Sequence, residues 1–171
     1  MTRHRTGATR RARRSAGRTT GSFAATIVAT VVALTLGHAL ADGPALGLGG
    51  TTMTLTKSPT CTCCDAYADI LRQAGVDVTI DVILDVAQHK VASGAPTQLW
   101  SCHTVDVDGY VVEGHVPLGA IEELLVTRPA VTGIALPGMP AGSPGMPGTA
   151  PGGGLEVLAF SAEGVTAFGA F

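Results

Sequence analysis

The chain has 171 residues, 46% of them hydrophobic but only 4% aromatic, with 23 Gly and 10 Pro; that is room for one modest domain and some loose flanking sequence. Its formal charge of −2 hides a segregation: Arg3, Arg5, Arg10, Arg11, Arg13, Arg14 and Arg18 hold all the early charge, while beyond Ala41 only Lys57, Arg72, Lys90 and Arg128 stand against all 13 acids, a balance near −9. A body that acidic argues against nucleic acid and favours cationic partners, metal ions among them.

Residues 1–41 read as an export signal: an Arg-rich start, the apolar run SFAATIVATVVALTLG, then Ala39-Leu40-Ala41, a small-x-small cleavage pattern before Asp42. The twin arginines of TRRARR lack the apolar residues expected just after them, which favours the general secretory route. An uncleaved membrane anchor is the competing reading, but the uninterrupted apolar stretch is about 14–15 residues, short of the ~20 a spanning helix needs. The mature protein is thus expected in the periplasm or another extracytoplasmic space, held to a membrane only if the signal stays attached.

Residues 42–50 read as a linker. TMTLTK at 52–57 alternates as a strand does, and Pro59 breaks it. From Asp65 onward Tyr67, Ile70, Leu71 and Ala74 fall at helical spacing, with Gly75 as terminator. VDVTIDV at 76–82 alternates again, and Asp85 caps a short helix, VAQHKVAS, that Gly94 ends. LWSCHTVDV and YVVEGH flank Asp108-Gly109, a strong hairpin turn. Pro117 opens a last helix with Leu118, Ile121, Leu124 and Leu125 on one face. Residues 129–154 are dense in Pro and Gly, and LEVLAF at 155–160 offers one more strand. The order β-α-β-α-β-β-α is that of an α/β thioredoxin/glutaredoxin-like domain. The expected organisation is a core over 51–128, followed over 129–171 by a Gly/Pro/Met-rich loop and one strand packing on it.

The chemistry concentrates in Cys61, Cys63 and Cys64, three thiols in four positions at a helix start. Outside the cytoplasm four cysteines would by default form two disulfides. A bridge between adjacent Cys63 and Cys64 would be strained, and Cys61–Cys64 with Cys63–Cys102 closes one very small loop of little use to stability. In a thioredoxin-like fold a Cys-x-x-Cys sits at the first β–α junction, where helix amides and dipole favour thiolate. The segment entering the hairpin faces that junction, and counting back from Asp108-Gly109 puts Cys102 and His103 there. All four cysteines and His103 are therefore expected to converge.

Thiolates suit Cu(I), zinc and iron–sulfur clusters, and Asp65 is the one hard donor in the local run. Zinc fits less well, since its usual signature is two separated Cys pairs. Adjacent Cys63 and Cys64 can more easily bind different ions, which points to a small multinuclear Cu(I)–thiolate cluster. Met139 and Met146, in the polar loop PGMPAGSPGMPG, supply thioethers that bind Cu(I), although a loop with two gap-filling methionines reads equally well. His89 reads as a surface residue, His115 as a structural hydrogen-bonding residue before it reads as a partner of the site, Glu113 as surface, Tyr110 as core, and Trp100 as packing near the cysteines. No Ser/His/Asp set, phosphate loop or basic stripe is present. The rival of another class is a redox enzyme, a thiol–disulfide oxidoreductase with Cys61 as nucleophile and Cys64 as resolving thiol; the surplus Cys63 counts against it.

CTCC, SCHT, VDGYVVEGHVP and PGMPAGSPGM, in this order and spacing, resemble the CopG-like family of small exported copper-resistance proteins over roughly residues 51–171. The resemblance implies a thioredoxin-like domain that binds copper in the periplasm alongside other copper-handling proteins. Carried over by position, its Cys-x-Cys-Cys motif falls on Cys61, Cys63 and Cys64, and its Cys-His motif on Cys102 and His103. The family usually has Gly between the first two cysteines; here it is Thr62, whose branched side chain restricts the backbone without removing a ligand.

Overall fold

The computed structural model describes residues 47–171. The export signal read over 1–41, and the linker as far as residue 46, lie outside the described residues. The elements run β1 (Thr52–Lys57), α1 (Thr62–Gln73), β2 (Asp77–Val82), α2 (Val86–Ala92), a 3-10 turn (Thr97–Leu99), β3 (His103–Val107), β4 (Tyr110–Gly114), α3 (Leu118–Thr127), β5 (Gly133–Leu136), β6 (Glu156–Ser161) and β7 (Gly164–Ala170). They form one mixed sheet in the order β2-β1-β3-β4-β5-β6-β7. β1 and β2 are parallel across α1, β4 and β5 are parallel across α3, and the remaining neighbours are antiparallel. The α/β thioredoxin-like arrangement expected from the sequence is found, with a three-strand extension beyond β4. Among the described residues no helix is long and apolar enough to cross a membrane.

Period-2 alternation sorts the sheet into two faces. Met53, Leu55, Val105, Val107 and Val112 point to the side covered by α1, through Tyr67, Ala68 and Leu71, and by α3, through Ala120, Ile121 and Leu124. The opposite face carries a smaller cluster of Ala95, Leu99, Val111, Ala135 and Phe160. Core packing begins before residue 51: Leu48 is fully buried, and the amide of Gly50 donates to Gly75 O at 2.9 Å.

Several local expectations need correction. α1 begins at Thr62, three residues ahead of the apolar periodicity, because Cys61 takes the N-cap conformation (φ −82°, ψ 92°). The 129–154 segment is not all loop, since it contains β5, a run of four buried residues too short to show any period. The C-terminus holds two strands rather than one; β7 is largely exposed, uncharged GVTAFGA, so it shows no apolar alternation. Trp100 packs against the smaller cluster, its Nε1 donating to Ala95 O at 2.8 Å, so its ring belongs to the face away from the main core. Glu113 is not on the surface but fully buried against Lys90. Tyr110 is buried as expected, and His89 lies partly exposed on α2, 3.6 Å from Asp106.

The sheet edges differ. β2 carries Asp77 and Asp81, whereas β7 carries no charge at all.

β5 can reach β4 only because residue 133 lacks a side chain: a Cβ there would lie 1.9 Å from Val111 O. Gly133→Ala is expected to lower stability by about 1–3 kcal/mol or more in urea denaturation. Gly49→Ala, whose Cβ meets nothing within 4 Å, is expected to stay within about 0.5 kcal/mol of the parent.

Candidate metal centre

Antiparallel pairing sets Lys57, the last residue of β1, opposite His103, the first of β3. The chain leaving β1 turns into α1 with Cys61 at its N-cap and Cys63 and Cys64 in its first turn. The chain entering β3 delivers Cys102. The two segments therefore meet at one sheet end. Cys61 and Cys64 form a disulfide with Cα atoms 5.5 Å apart, while Cys63 and Cys102 are free thiols. Cys63 Sγ lies 3.5 Å from Cys61 Sγ and 3.9 Å from Cys102 Sγ. All four sulfurs fall within 4.8 Å of one another. The convergence expected from the sequence is present.

A second group overlaps the first. Cys102, His103 and His115 also offer donor atoms within 4.8 Å of one another, so Cys102 belongs to both sets. His103 Nδ1 lies 3.3 Å, and His115 Nε2 3.0 Å, from Cys102 Sγ. His115 Nδ1 is 2.7 Å from Pro144 O. A carbonyl can only accept, so Nδ1 carries the proton and the Nε2 lone pair faces the sulfur, the tautomer a metal-binding imidazole requires. His103 Nε2 is buried with no hydrogen-bond partner. Tyr67 walls the pair: its ring centroid is 4.7 Å from that of His103 and 5.3 Å from that of His115, and its hydroxyl donates to Val116 O at 2.8 Å.

Burial dominates the electrostatics. It holds His103 well below the ordinary imidazole range, helped by His115 and Lys90, and it lowers His115 too, against the bond to Pro144. Both rings are thus neutral, as ligands must be. Burial, with Cys63 beside it, pushes the Cys102 thiol up to about 12. The helix terminus therefore does not ionise every cysteine: Cys102 sits on the β3 side and stays protonated until something replaces its proton. Asp65 is committed elsewhere, pairing at 2.7 Å with Lys57, whose Nζ also donates to Cys61 O at 2.9 Å. The donors left facing one another are sulfur and imidazole.

The Pro/Gly loop lies on this end of the domain. Pro144 O receives His115, and Gly145 packs on α1 so closely that a Cβ would be 3.1 Å from Tyr67 N. Met146 follows, half-buried, while Met139 sits at an exposed left-handed position (φ 48°) of the same loop. His115 makes the structural hydrogen bond expected of it, to Pro144 O, and its other ring nitrogen also faces Cys102, the role given second place in the sequence. A signal was available: extending the Val107↔Tyr110 hairpin register outward past Thr104↔Glu113 sets Cys102 opposite His115.

Comparison with known proteins adds three findings. A family model described as "Protein of unknown function, DUF411" matches residues 99–146. No curated protein matches the chain. Two solved structures match. One, described as "Copper resistance protein copG- Form 2", is 32% identical over 71% of this chain and 98% of its own, with a TM-score of 0.62. The other, "Copper resistance protein copG- Form 1", is 33% identical over 70% and 96%, with a TM-score of 0.63.

Because its thiol is pushed up to about 12, Cys102 in the metal-free protein is expected to react with iodoacetamide at a rate that rises about tenfold per pH unit from 8 to 11, without levelling near 9. Peptide mapping by mass spectrometry reads this directly; a plateau near pH 9 would mean the thiol is not shielded.

Proposed function

The chain belongs to the family of the copper resistance protein CopG, and from that premise we propose that it is an exported protein of copper tolerance that holds Cu(I) as cargo in a thiolate-rich, multinuclear site. The observation that carries the reading is the sharing of Cys102 between a four-sulfur group and a Cys-His-His group. A thiolate common to two donor sets bridges two ions, so the arrangement suits a cluster better than a single tetrahedral ion. The donors are soft sulfur and borderline imidazole, which favours Cu(I) over harder cations and makes zinc the lesser candidate. In this reading Cys61, Cys63, Cys64, Cys102, His103 and His115 are ligands. The loop carrying Met139 and Met146 brings thioether sulfur to the same end of the domain.

Loading has two chemical requirements. The Cys61–Cys64 disulfide must first take two electrons and two protons from an external thiol reductant, giving two thiols. Each thiol then releases its proton as the ion binds, which for Cys102 means displacing a proton held up to about pH 12. The α1 N-terminus stabilises the thiolates of Cys61 and Cys64. Neutral His103 and His115 need no deprotonation.

A second reading is favoured by the disulfide itself. Cys61 is partly exposed and Cys64 fully buried, the division between attacking and resolving thiols expected of a thiol–disulfide oxidoreductase.

Metal content per chain separates the two. Reduced protein, loaded with Cu(I) without oxygen and desalted, is expected to retain two or more copper ions, with loss in Cys63→Ser and Cys102→Ser. No retained copper, together with insulin reduction that survives Cys63→Ser, would replace the copper reading by the redox one. For the exported form, N-terminal sequencing of protein recovered outside the cytoplasm is expected to begin at Asp42; a start at Met1 would leave the signal attached.

A further inference from the structure

On the sheet face opposite the thiols, one buried carboxylate holds both sides of the Cys102–His103 pair. Glu113 is 0% exposed and Lys90 3% exposed. Glu113 Oε1 accepts from the backbone amide of Ser101 at 2.6 Å, and Glu113 Oε2 accepts from Thr104 Oγ1 at 2.7 Å. Lys90 Nζ donates to Glu113 Oε1 and, at 3.1 Å, to Thr104 Oγ1. Ser101 precedes Cys102 and Thr104 follows His103. The dipeptide is therefore spanned by two anchor points on a single side chain.

We infer that the Lys90–Glu113 pair is a positioning device, through Ser101 and Thr104, for Cys102 and His103; what that dipeptide holds rests on the copper reading above. Geometry supports it first. Thr104 and Glu113 are directly opposite in the β3–β4 register, and alternation sends Thr104 toward α2 while neighbouring His103 points to Tyr67. Motion of the clamp on one face is transmitted through one peptide unit to the ligands on the other. Energetics supports it second. Taking two charges out of water offsets most of their mutual attraction, so the ion pair by itself adds little to stability. What an apolar pair could not do is hold the Ser101 amide and the Thr104 hydroxyl in fixed directions. Cys102 lies in an irregular turn ahead of β3, where the ladder gives no restraint of its own, so a fixed direction there has to come from a side chain.

Two variants that nearly keep side-chain volume test it. Thr104→Val removes the hydroxyl that serves both partners at nearly constant volume. Glu113→Gln keeps an acceptor for the Ser101 amide and removes the charge. Leu124→Ala, in the core on α3, serves as a reference that lowers the melting temperature without touching the clamp. Two readouts are taken on the reduced protein: competition for Cu(I) against bicinchoninate, and iodoacetamide labelling of Cys102 in the metal-free state. Thr104→Val is expected to weaken Cu(I) retention tenfold or more and to speed Cys102 labelling at least threefold, with Glu113→Gln intermediate. Leu124→Ala is expected to move neither. The inference is overturned if both clamp variants stay within twofold of the parent, or if Leu124→Ala reproduces their shifts. If the parent retains no copper, the copper reading fails and the labelling arm alone decides the clamp.

Discussion

The pairing of β1 with β3, which sets Lys57 opposite His103, is the constraint on which the site depends. It brings the end of one strand and the beginning of another to the same rim of the sheet. The thiols that meet there, Cys63 and Cys102, are 39 residues apart in sequence. The first strand leaves this rim through a helix start that crowds three cysteines into one turn. The third enters it carrying Cys102, and the hairpin returns through β4 to place His115 beside them. A slip of one residue in this ladder would turn His103 away from Tyr67 and bring Thr104 into its place. The centre is a product of register before it is a product of side-chain chemistry.

Burial then decides what state those side chains rest in. An apolar wall of Tyr67 and core residues disfavours charge on thiol and imidazole alike. For the histidines this is permissive, since the neutral ring is the one that coordinates. For Cys102 it is an obstacle that only a strongly bound cation can overcome, because the metal–sulfur bond must replace a proton held more tightly than usual. An ion that cannot form a strong bond to sulfur would gain nothing by entering such surroundings.

Much of this was legible in the sequence, for identifiable reasons. The strands at 52–57 and 76–82 alternate cleanly, Asp108-Gly109 fixes the hairpin, and Asp85 caps its helix, accepting from the Gln88 amide at 2.9 Å. Those local signals suffice to bring Cys61, Cys63, Cys64, Cys102 and His103 together. What escaped depended on long-range partners. Glu113 reads as surface because a lone acid usually is, and only the fold shows Lys90 buried against it. Trp100 sits next to the site in sequence, yet its backbone (φ −60°, ψ 138°) leads its ring to the opposite face. β5 owes its existence to Gly133 permitting contact with Val111, which no local pattern encodes.

The unequal edges of the sheet bear on how this protein would meet copies of itself. A strand bristling with aspartates discourages addition of another strand, and one without charge does not. Among the described residues, β2 is the guarded edge and β7 the open one. Four strand spacings of about 4.8 Å separate β7 from β3, so a ribbon extended through β7 would grow roughly 19 Å across the sheet from the strand that follows Cys102. Self-association by that route would leave the sulfur and imidazole group clear of the contact in every copy.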